Sequence, residues 1–590
     1  MGEEKKMMSV FSAMKHSVFY IKRNGLFATC AKIIRKINFS RRYKKWINDY
    51  EKIDKEQIVR DIKTFSYLPT FSICVPVYNV EEKWLKKCIQ SVQNQYYTNW
   101  QLCMADDCSP DEKVRTILSE YAKRDDRINI VYRIQNGHIS EATNSALQIA
   151  KGDFIVLMDN DDELAPNALY EVAKILQKQR DLDVIYSDED KIDENGNRKN
   201  PFFKSDYCPD TLLSYNYISH MGVYRRNLIE QIGGFRKGVE GSQDYDLLLR
   251  VVELTENIYH IPKILYHWRA ISGSTALDGA EKNYAYSAGK KVLEDTVKRR
   301  KYSAEVKYLE NCPCYNVVFY PRKKHFISII ILVHDQLEKT ESCLKSINEN
   351  TINNNYEVIL VDCHSEKKET KKFLDKYKKY PEYSVVKIHQ KLCCAAIQNL
   401  AVKRAKGDLI VFLNDEIEIQ TKEWLLHMAG EAERECIGAV GVKILHPKNV
   451  IYNAGISLDK EKICIDIGKG RKKNESGYMY YLSTRRNYSA VSGDCLMVKK
   501  DIFEQVGGFD ENLKNNLYDV DLCLELQNRG YHNILIPEVQ AYLNMKKFSL
   551  NALNKKKNKE EIFYLKMKWN EKILEDPCRS KVSDLDPTRV

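Results

Sequence analysis

The sequence contains no long uncharged apolar run. No such run approaches the roughly 18 residues that suggest a membrane span, so we do not expect a membrane-spanning helix. The N-terminus has neither an apolar stretch nor a small-residue cleavage site, which argues against a secretory signal peptide. No cysteine and histidine pairs stand at zinc-site spacing, and the 17 cysteines lie mostly in apolar runs, as Cys74 and Cys103 do. These absences predict a cytoplasmic protein with reduced cysteines.

Positive charge is concentrated at the start of the chain. Residues 1–49 hold twelve basic and three acidic residues, which accounts for +9 of the net charge of +11. Within this stretch, apolar residues between 26 and 37 recur at helical spacing opposite lysine and arginine. This pattern predicts a basic amphipathic helix that lies on an anionic membrane surface. A helix that packs on its own domain or binds a partner remains an alternative. No nucleic-acid-binding module is visible, so we expect no nucleic-acid partner.

The second half of the chain repeats the first. Residues 71–78 and 326–333 are apolar and strand-like, and each is followed by a helical segment and a second strand that ends in aspartate. The sequence AKGDFIV at 150–156 returns as AKGDLIV at 405–411. The offset drifts only between about 255 and 275 residues, which is too long for a solenoid. At 590 residues the chain also exceeds one hydrophobic core, so we predict two homologous domains.

A knot of acids follows one apolar strand. Residues 154–158 are apolar, and Asp159, Asn160, Asp161 and Asp162 come directly after them. Three carboxylates at the end of a buried strand repel one another, and a cation relieves this repulsion. Mg²⁺ is usually held by one or two carboxylates together with substrate phosphates. The pattern therefore predicts a metal site that binds a diphosphate, with a solvated acidic turn as the alternative.

Other polar residues end neighbouring strands of the same domain. Short apolar runs alternate with helical patterns, which predicts an α/β fold with a mostly parallel, Rossmann-like sheet in each domain. In such sheets ligands bind beyond the carboxyl ends of the strands. Tyr78 ends the first strand and Asp106 and Asp107 end the second, so they should meet the acid knot in one crevice. A ring that stacks on a base and acids that bind ribose or metal would then converge there.

Three motifs in this order resemble family 2 glycosyltransferases with the GT-A fold: VPVYN at 75–79, DDCS at 106–109 and MDNDD at 158–162. Further stretches at 136–140, 186–191, 201–204 and 266–269 resemble two-domain bacterial members that build O-antigens and rhamnose-rich surface polysaccharides. The resemblance covers roughly residues 40–550. It implies an inverting, Mg²⁺- or Mn²⁺-dependent transfer of a sugar from a UDP- or dTDP-sugar donor. The implied acceptor is a polysaccharide or lipid-linked glycan.

The resemblance also assigns roles to matching positions. Asp244 in SQDY stands at the general-base position, although Gln243 replaces the usual glutamate. The implied nucleotide-sugar contacts are Pro76, Tyr78, Asp106, Asp107, Asp159, Asn160, His267 and Arg269. The implied metal ligands are Asp159, Asp161 and His267, with Asp161 closest to the ion. Simpler alternatives stand beside these roles: Tyr78 as a packing residue, the aspartates 106, 107 and 244 as helix caps, and His267 as a surface histidine.

The second copy has changed at the matching positions. Asn414, Asp415 and Glu416 replace the acid knot, and Leu332 stands where a strand-end proline is expected. The acids that remain as candidates for a second site are Asp362, Asp519 and Asp521, the last two as potential bases. These losses favour a weakened or structural second domain over a second active site.

The resulting domain prediction has five parts. They are a basic helical segment (1–65), a first GT-A domain (66–300), a linker (301–325), a second GT-A-like domain (326–550) and a lysine-rich tail (551–590), which we expect to be solvated. Two other functions remain open. A non-catalytic scaffold would bind nucleotide sugars without releasing a nucleoside diphosphate. A nucleotidyltransferase would release pyrophosphate, but no glycine-rich phosphate loop supports it.

Overall fold

The computed structural model describes residues 26–271, 281–309, 312–352, 355–390, 392–514, 516–544 and 559–582. Two helices, α1 (Leu26–Tyr50) and α2 (Lys55–Thr64), precede the first sheet. The second half of α1 packs on the first domain, where Tyr43 is buried beside Phe203 and Ile264. Ile34 and Ile37 in its first half are 57% and 48% exposed. Within the described ranges, no helix combines the length and apolar character needed to cross a bilayer.

The first sheet has nine strands in the order β3-β2-β1-β4-β8-β6-β9-β5, with β7 beside β6. Its strands are β1 (Phe71–Val77), β2 (Trp100–Asp106), β3 (Ile128–Tyr132), β4 (Phe154–Leu157), β5 (Glu163–Leu164), β6 (Val184–Ile192), β7 (Arg198–Phe202), β8 (Gly222–Arg225) and β9 (Ile258–Arg269). The helices between them are α3 (Glu82–Gln93), α4 (Glu112–Arg124), α5 (His138–Gln148), α6 (Ala168–Lys178), α7 (Pro209–Leu212), α8 (Arg226–Gln231) and α9 (Gln243–Val251). Strands β1 to β4 pair in parallel, whereas β8 runs antiparallel to β4 and β6. The predicted Rossmann-like sheet is therefore confirmed in this domain.

Apolar side chains cover both faces of the central strands of this sheet. Ile73 and Val75 of β1 enter one core with α3 and α6, and Cys74 enters the other with β6 and α9. A strand buried on both faces reads as a continuous apolar run, which is why β1 and β4 could be recognised from the sequence. The parallel arrangement brings the carboxyl ends of β1, β2 and β4 to one edge.

The predicted linker is a folded part of the first domain, so this boundary is corrected. Helix α10 (Glu281–Arg299) is followed by the hairpin β10 (Ala304–Tyr308) and β11 (Tyr315–Phe319). Val306, Val317 and Phe319 of the hairpin are buried in the same core as α9. Alternating apolar residues in both strands drive this packing, because one face of the hairpin is covered.

The second sheet has ten strands in the order β14-β13-β12-β15-β22-β17-β23-β16, with β18 beside β17 and β21 beside β23. Its strands are β12 (Ile327–Val333), β13 (Tyr356–Asp362), β14 (Tyr383–Lys387), β15 (Leu409–Leu413), β16 (Ile417–Ile419), β17 (Ile437–His446), β18 (Val450–Asn453), β21 (Arg486–Tyr488), β22 (Cys495–Lys499) and β23 (His532–Leu543). A separate hairpin joins β19 (Ile456–Asp459) and β20 (Ile463–Asp466). The helices are α11 (Leu337–Asn350), α12 (Lys368–Tyr377), α13 (Cys394–Val402), α14 (Trp424–Ala432), α15 (Lys500–Gln505) and α16 (Tyr518–Asn528). The shared strand order of the two sheets confirms the predicted duplication.

Buried polar contacts join the two domains. Asp210 of the first domain accepts a bond from Arg434, and Asn487 donates to the same carboxylate at 2.7 Å. The Tyr478 hydroxyl donates to the Pro201 carbonyl at 2.8 Å and accepts from the Phe203 amide at 3.0 Å. These buried polar groups find hydrogen-bond partners in the opposite domain, so the contacts hold the two domains together.

The C-terminal region is folded where it is described, which corrects the prediction of a solvated tail for residues 559–582. Helix α17 (Lys559–Leu574) buries Leu565, Trp569 and Ile573 against the second domain. The chain then returns to the first domain, where the Asp206 amide bonds to the Pro577 carbonyl at 2.9 Å. The basic run at 555–557 and residues 1–25 lie outside the described residues.

Candidate active site

A cavity of about 880 Å³ opens at the carboxyl ends of β1, β2 and β4. Most of the residues predicted for the first site line it: Pro76, Tyr78, Asp107, Asp159, Asn160, Asp161 and Asp244. Residues from α5, β8, β9 and α9 complete the walls, among them Thr143, His220, Trp268 and Gln243. The cavity has the size and mixed lining of a small-molecule site.

Three metal-ligand side chains converge at the acid knot. One ligand atom from each of Asp159, Asp162 and His220 lies within 4.8 Å of the others. Two carboxylates and an imidazole form a donor set for a divalent cation, and its oxygen donors suit Mg²⁺ or Mn²⁺. Asp161 lines the cavity next to this group, and its role as a ligand stays a prediction.

The environment of the knot disfavours negative charge unless a cation is present. Burial and the charge of Asp159 raise the pKa of Asp161 to about 6. The pKa of Asp162 is raised well above its ordinary value, mainly by burial and then by Asp161 and Asp159. The Asp162 carboxylate accepts bonds from the Tyr266 hydroxyl at 2.5 Å and the Arg269 amide at 2.6 Å. The protein therefore fixes the position of a carboxylate that burial alone would neutralise.

His220 is a site residue that the sequence motifs did not indicate. It precedes β8, which pairs antiparallel with β4 so that Phe154 lies opposite Arg225. Continued past the strand ends, this register brings His220 beside Asp159. The His220 ring stacks on Tyr266 with centroids 4.6 Å apart. The only sequence signal was its place before a short apolar run, and the antiparallel insertion of that run could not be read from the pattern.

His267 was predicted as a metal ligand, and the structure corrects this. Successive residues of a strand point to opposite faces. Trp268 of β9 lines the cavity, so His267 and Arg269 lie on the other face. The His267 Nδ1 atom is 2.6 Å from the buried carboxylate of Asp190. His220 takes the place in the cluster that was predicted for His267.

Arg269 and Asp106 were predicted to contact the nucleotide sugar, and both are buried behind the cavity instead. Arg269 donates to the Asp161 carbonyl at 2.7 Å, pairs with Glu163 and lies over the Trp84 ring at 4.3 Å. Asp106 accepts from the Ser109 amide at 3.1 Å and Arg115 Nε at 2.8 Å. Their side chains therefore support the loops that carry the site residues.

Asp107 and Tyr78 form the rim on the β1–β2 side. The Asp107 carboxylate accepts from the Gly137 amide at 2.9 Å and from Arg133 Nε at 2.8 Å, which fixes its direction. Tyr78 is 51% exposed, so one face of its ring is open to a ligand. Asn160 donates to the Pro76 carbonyl at 3.0 Å and so ties the acid knot to the end of β1.

Asp244 lies across the cavity in the first turn of α9. Its Oδ2 atom accepts a bond from Asn216 Nδ2 at 2.8 Å. Burial raises its pKa, while the nearby His220 ring and backbone amides oppose the rise. A partly desolvated carboxylate held at a helix N-terminus is suited to accept a proton.

The second domain lacks the metal-type cluster at the equivalent position. Matching strand registers align Asp159 with Asn414, Asp162 with Ile417 and His220 with Asp494. Asn414 Nδ2 donates to Asp494 at 2.8 Å. In the described part of the second domain, no comparable group of three ligands is found.

The other predicted second-site acids are occupied by the protein itself. Glu416 pairs with Lys339, and Asp415 accepts from the Thr340 hydroxyl at 3.0 Å. Asp362 accepts from the Ser365 amide at 2.9 Å. Asp519 accepts from the Gly493 amide at 2.8 Å, and burial raises its pKa to about 6. Asp521 is bound by Trp569 Nε1 at 2.7 Å and by Lys568, so its predicted role as a base is corrected to a buried anchor for α17.

Two stretches of the chain, residues 72–233 and 328–507, match the model of glycosyl transferase family 2. Together they make up more than half of the length of the chain. The chain belongs to glycosyl transferase family 2. Each match covers most of one sheet but ends before its long C-terminal strand, β9 in the first and β23 in the second. Family membership confirms the resemblance found in the motifs.

Two relatives of this chain are longer than the chain itself. An uncharacterized Sinorhizobium fredii protein, y4gI, is 36% identical over 521 residues, which cover 86% of this chain and 57% of that protein. The O-antigen biosynthesis protein RfbC of Myxococcus xanthus is 33% identical over 474 residues, 80% of this chain and 37% of RfbC. The chain therefore spans little more than half of the first and over a third of the second. A crystal structure of S. aureus TarS 1-349 is 21% identical over 39% of this chain and 65% of its own, with a TM-score of 0.32.

Proposed function

We propose that the first domain is an inverting, metal-dependent glycosyltransferase that moves a sugar from a nucleoside diphosphate donor to a hydroxyl of a cell-surface polysaccharide. The observation that carries this proposal is that one cavity is lined by Asp159 and His220 of the cation-type donor set, with Asp162 buried behind them, and by a separate carboxylate, Asp244. Family membership supports the reaction class. The role named for RfbC supports a polysaccharide acceptor.

The rim residues would bind the nucleotide. The open ring of Tyr78 can stack on a base, and Asp107 is held in a fixed direction from which it can accept a bond from the base or ribose. Asp159, Asn160 and Asp161 lie deeper in the cavity, where the diphosphate would follow. We propose a UDP- or dTDP-sugar as the donor.

Asp159, Asp162 and His220 would hold Mn²⁺ or Mg²⁺, which supplies positive charge opposite the departing diphosphate. Neighbouring residues hold two of these side chains in place. The Tyr266 hydroxyl and the Arg269 amide donate hydrogen bonds to Asp162, and the Tyr266 ring stacks on the His220 ring. Such prearranged groups stabilise developing charge without reorganising during the reaction.

Asp244 would act as the general base. It would take the proton from the acceptor hydroxyl while that oxygen attacks the anomeric carbon, and the nucleoside diphosphate leaves from the opposite face. A single displacement of this kind inverts the anomeric configuration. The raised pKa of Asp244 makes its ionised form a stronger base.

We propose that the second domain does not transfer sugar. Ile417, at the position of Asp162, has no ligand atom, and Asn414 replaces the Asp159 carboxylate with a neutral amide that bonds to Asp494 at 2.8 Å. Arg269, which braces the acid knot, corresponds to Asn544, which bonds to Glu418 at 2.7 Å. The domain retains Asp519 but not the groups that neutralise a diphosphate.

Asp519→Asn is expected to leave kcat of the full chain within about twofold of wild type, because the second domain contributes no base. The Asn side chain keeps an acceptor for the Gly493 amide, so the fold is preserved. Steady-state kinetics with the preferred donor check this. A loss of half or more of the transferred sugar, with a truncated product, would reveal a second active site.

We also propose that α1 brings the enzyme to the inner face of the cell membrane, where lipid-linked acceptors are exposed. Ile34 and Ile37 are exposed on a helix whose other end is anchored by Tyr43. Each basic residue near an anionic surface adds about 1 kcal/mol of binding. The same helix also exposes the basic residues Arg41, Lys44 and Lys45.

Vesicle flotation tests this contact. Full-length protein should bind vesicles that contain phosphatidylglycerol, and Ile34→Glu/Ile37→Glu should lower the bound fraction about fivefold or more. Val59→Glu is a matched control, because Val59 is 41% exposed on α2. Equal binding by all three proteins would contradict a role for α1.

The reaction itself is tested with a panel of nucleotide sugars and polysaccharide acceptors in Mn²⁺. Release of nucleoside diphosphate together with a glycosylated product supports the proposal. Pyrophosphate release would instead indicate a nucleotidyltransferase. Calorimetric binding of a donor, with neither product formed, would indicate a non-catalytic scaffold.

A further inference from the structure

One amide side chain touches both sides of the candidate active site. Asn216 Nδ2 donates to Asp244 Oδ2 at 2.8 Å, and Asn216 Oδ1 accepts from the Ser219 amide at 3.1 Å. Ser219 is directly followed by His220, a member of the cation cluster. A single side chain thus links the Asp244 carboxylate to the backbone of the residue that precedes His220.

The two partners fix the orientation of the Asn216 amide. A carboxylate only accepts and a backbone N–H only donates, so the nitrogen must face Asp244 and the oxygen must face Ser219. Ser219 has a φ of +42°, in the left-handed region that a non-glycine residue rarely adopts. The bond to Asn216 Oδ1 holds the chain in this conformation and so aims His220 at the cluster.

The loop that contains His220 is also held by Lys204 and Glu189, neither of which bonds to Asp244. Lys204 is fully buried and donates to the Ile218 carbonyl at 2.5 Å and to the His220 carbonyl. Glu189 accepts from the His220 amide at 3.0 Å and from Lys204 at 3.1 Å. Lys204 and Glu189 therefore anchor the loop, whereas Asn216 connects it to the carboxylate.

The second domain offers a natural comparison. Counted back without a gap from the aligned pair His220 and Asp494, Ala490 stands at the position of Asn216. Ala490 has no side-chain donor, and Asp519 bonds to the Gly493 amide instead. The amide link is therefore absent from the copy that also lacks the cation ligands.

We infer that Asn216 is a positioning residue that holds Asp244 and the His220 loop in one fixed geometry for sugar transfer. This inference rests on the proposed function of the first domain. Asn216 acts through its two neighbours. Its hydrogen bond to Asp244 keeps that carboxylate directed into the cavity. Its hydrogen bond from the Ser219 amide keeps the His220 imidazole beside Asp159.

Two substitutions separate the two contacts. Asn216→Ala removes both, so we expect kcat to fall about 10- to 100-fold and Mn²⁺ affinity to fall several-fold, with the donor KM changed less. Asn216→Asp keeps an acceptor for the Ser219 amide but puts a second carboxylate beside Asp244. Mn²⁺ affinity should then stay near wild type while kcat falls.

The pH profile distinguishes positioning from a general loss of structure. Asp244 faces His220, Asp159 and the Tyr224 phenol as well as Asn216. Loss of the amide donor favours the protonated carboxyl, so the acid limb of kcat/KM should move up by about one pH unit in Asn216→Ala and further in Asn216→Asp. Activity relative to wild type should therefore recover as the pH rises.

Asn144→Ala is the matched control. The Asn144 side chain also makes two hydrogen bonds: it donates to the Phe235 carbonyl at 2.9 Å and accepts from the Phe235 amide at 2.8 Å. It does not bond to Asp244. Its loss should lower the melting temperature without moving the acid limb. Unchanged pH profiles in both Asn216 variants, with Asp244→Asn inactive, would overturn the inference. A fully active Asp244→Asn, or a wild type that transfers no sugar, would instead overturn the proposed function.

Discussion

Asp244→Asn is expected to lower kcat for sugar transfer by about a thousandfold, because a neutral amide cannot take the proton of the acceptor hydroxyl. The substitution keeps the size of the side chain. Donor binding should therefore stay within about threefold of wild type, since no proposed donor contact is removed. Product formation under saturating donor, together with calorimetry of donor binding, measures both quantities.

The matched control for this loss lies in the second domain. Asp519→Asn changes the equivalent helix position and should be nearly silent. Transfer by Asp244→Asn within tenfold of wild type would show that another group acts as the base. Loss of donor binding in the same variant would show that Asp244 contacts the donor.

Manganese is expected to raise the melting temperature of the full chain, and Asp159→Asn should abolish that rise. At a concentration of 100 Kd, a ligand that binds only the folded state stabilises it by about 2.7 kcal/mol, or roughly 5–10 °C for a unit the size of the first domain. Asn414→Ala alters the equivalent position of the second domain, so the manganese effect should remain. Differential scanning fluorimetry with and without chelator measures it.

The manganese effect should also depend on pH in a defined direction. The folded-state pKa of Asp161 is raised from 3.8 to about 6, so in the absence of metal this carboxyl costs stability as the pH rises through that interval. Protons compete with the ion below pH 6, and the ion offsets the repulsion above it. The rise in melting temperature should thus be smaller at pH 5.5 than at pH 7.5. An equal rise at both pH values, or a full rise in Asp159→Asn, would place the metal elsewhere.

Site residues that directly follow parallel strands could be predicted from the sequence, whereas a residue placed by an antiparallel strand could not. Parallel strands of continuous apolar sequence identify their own carboxyl ends, so Tyr78, Asp107 and the acid knot could be brought together from the sequence alone. The general-base position of Asp244 came from the family resemblance. The internal repeat and the alternation of apolar strands with helices predicted the two-domain α/β fold, and the motifs predicted the family; both predictions are confirmed.

His220 depends on the register of an antiparallel strand inserted beside β4, and neither its direction nor its register is encoded in a local pattern. The family resemblance implied His267 as a ligand, but strand parity decides which of two neighbouring residues faces the cavity, and Trp268 does. The same holds for Asp106, whose neighbour Asp107 faces the ligand side. The errors in the site prediction therefore came from the direction of side chains at strand ends and not from the predicted fold.

Domain boundaries failed where short elements pack on a distant partner. The β10–β11 hairpin lies between the two copies of the repeat and was predicted as a linker. Its apolar side chains pack in the first-domain core, and β11 also contacts α14 of the second domain. Trp569 of α17 lies in a lysine-rich setting, yet it is bound by Asp521 of the second domain. Such tertiary contacts are invisible to composition.

We expect the chain to hold one working site, in the cavity of the first domain. Nucleoside diphosphate release by wild type, Asp244→Asn and Asp519→Asn tests this expectation, with each protein assayed in Mn²⁺ and in chelator and with donor and acceptor present. Release should occur only with wild type and Asp519→Asn, and only in Mn²⁺. Metal-independent release, or release that requires Asp519 rather than Asp244, would contradict a single metal-dependent site in the first domain.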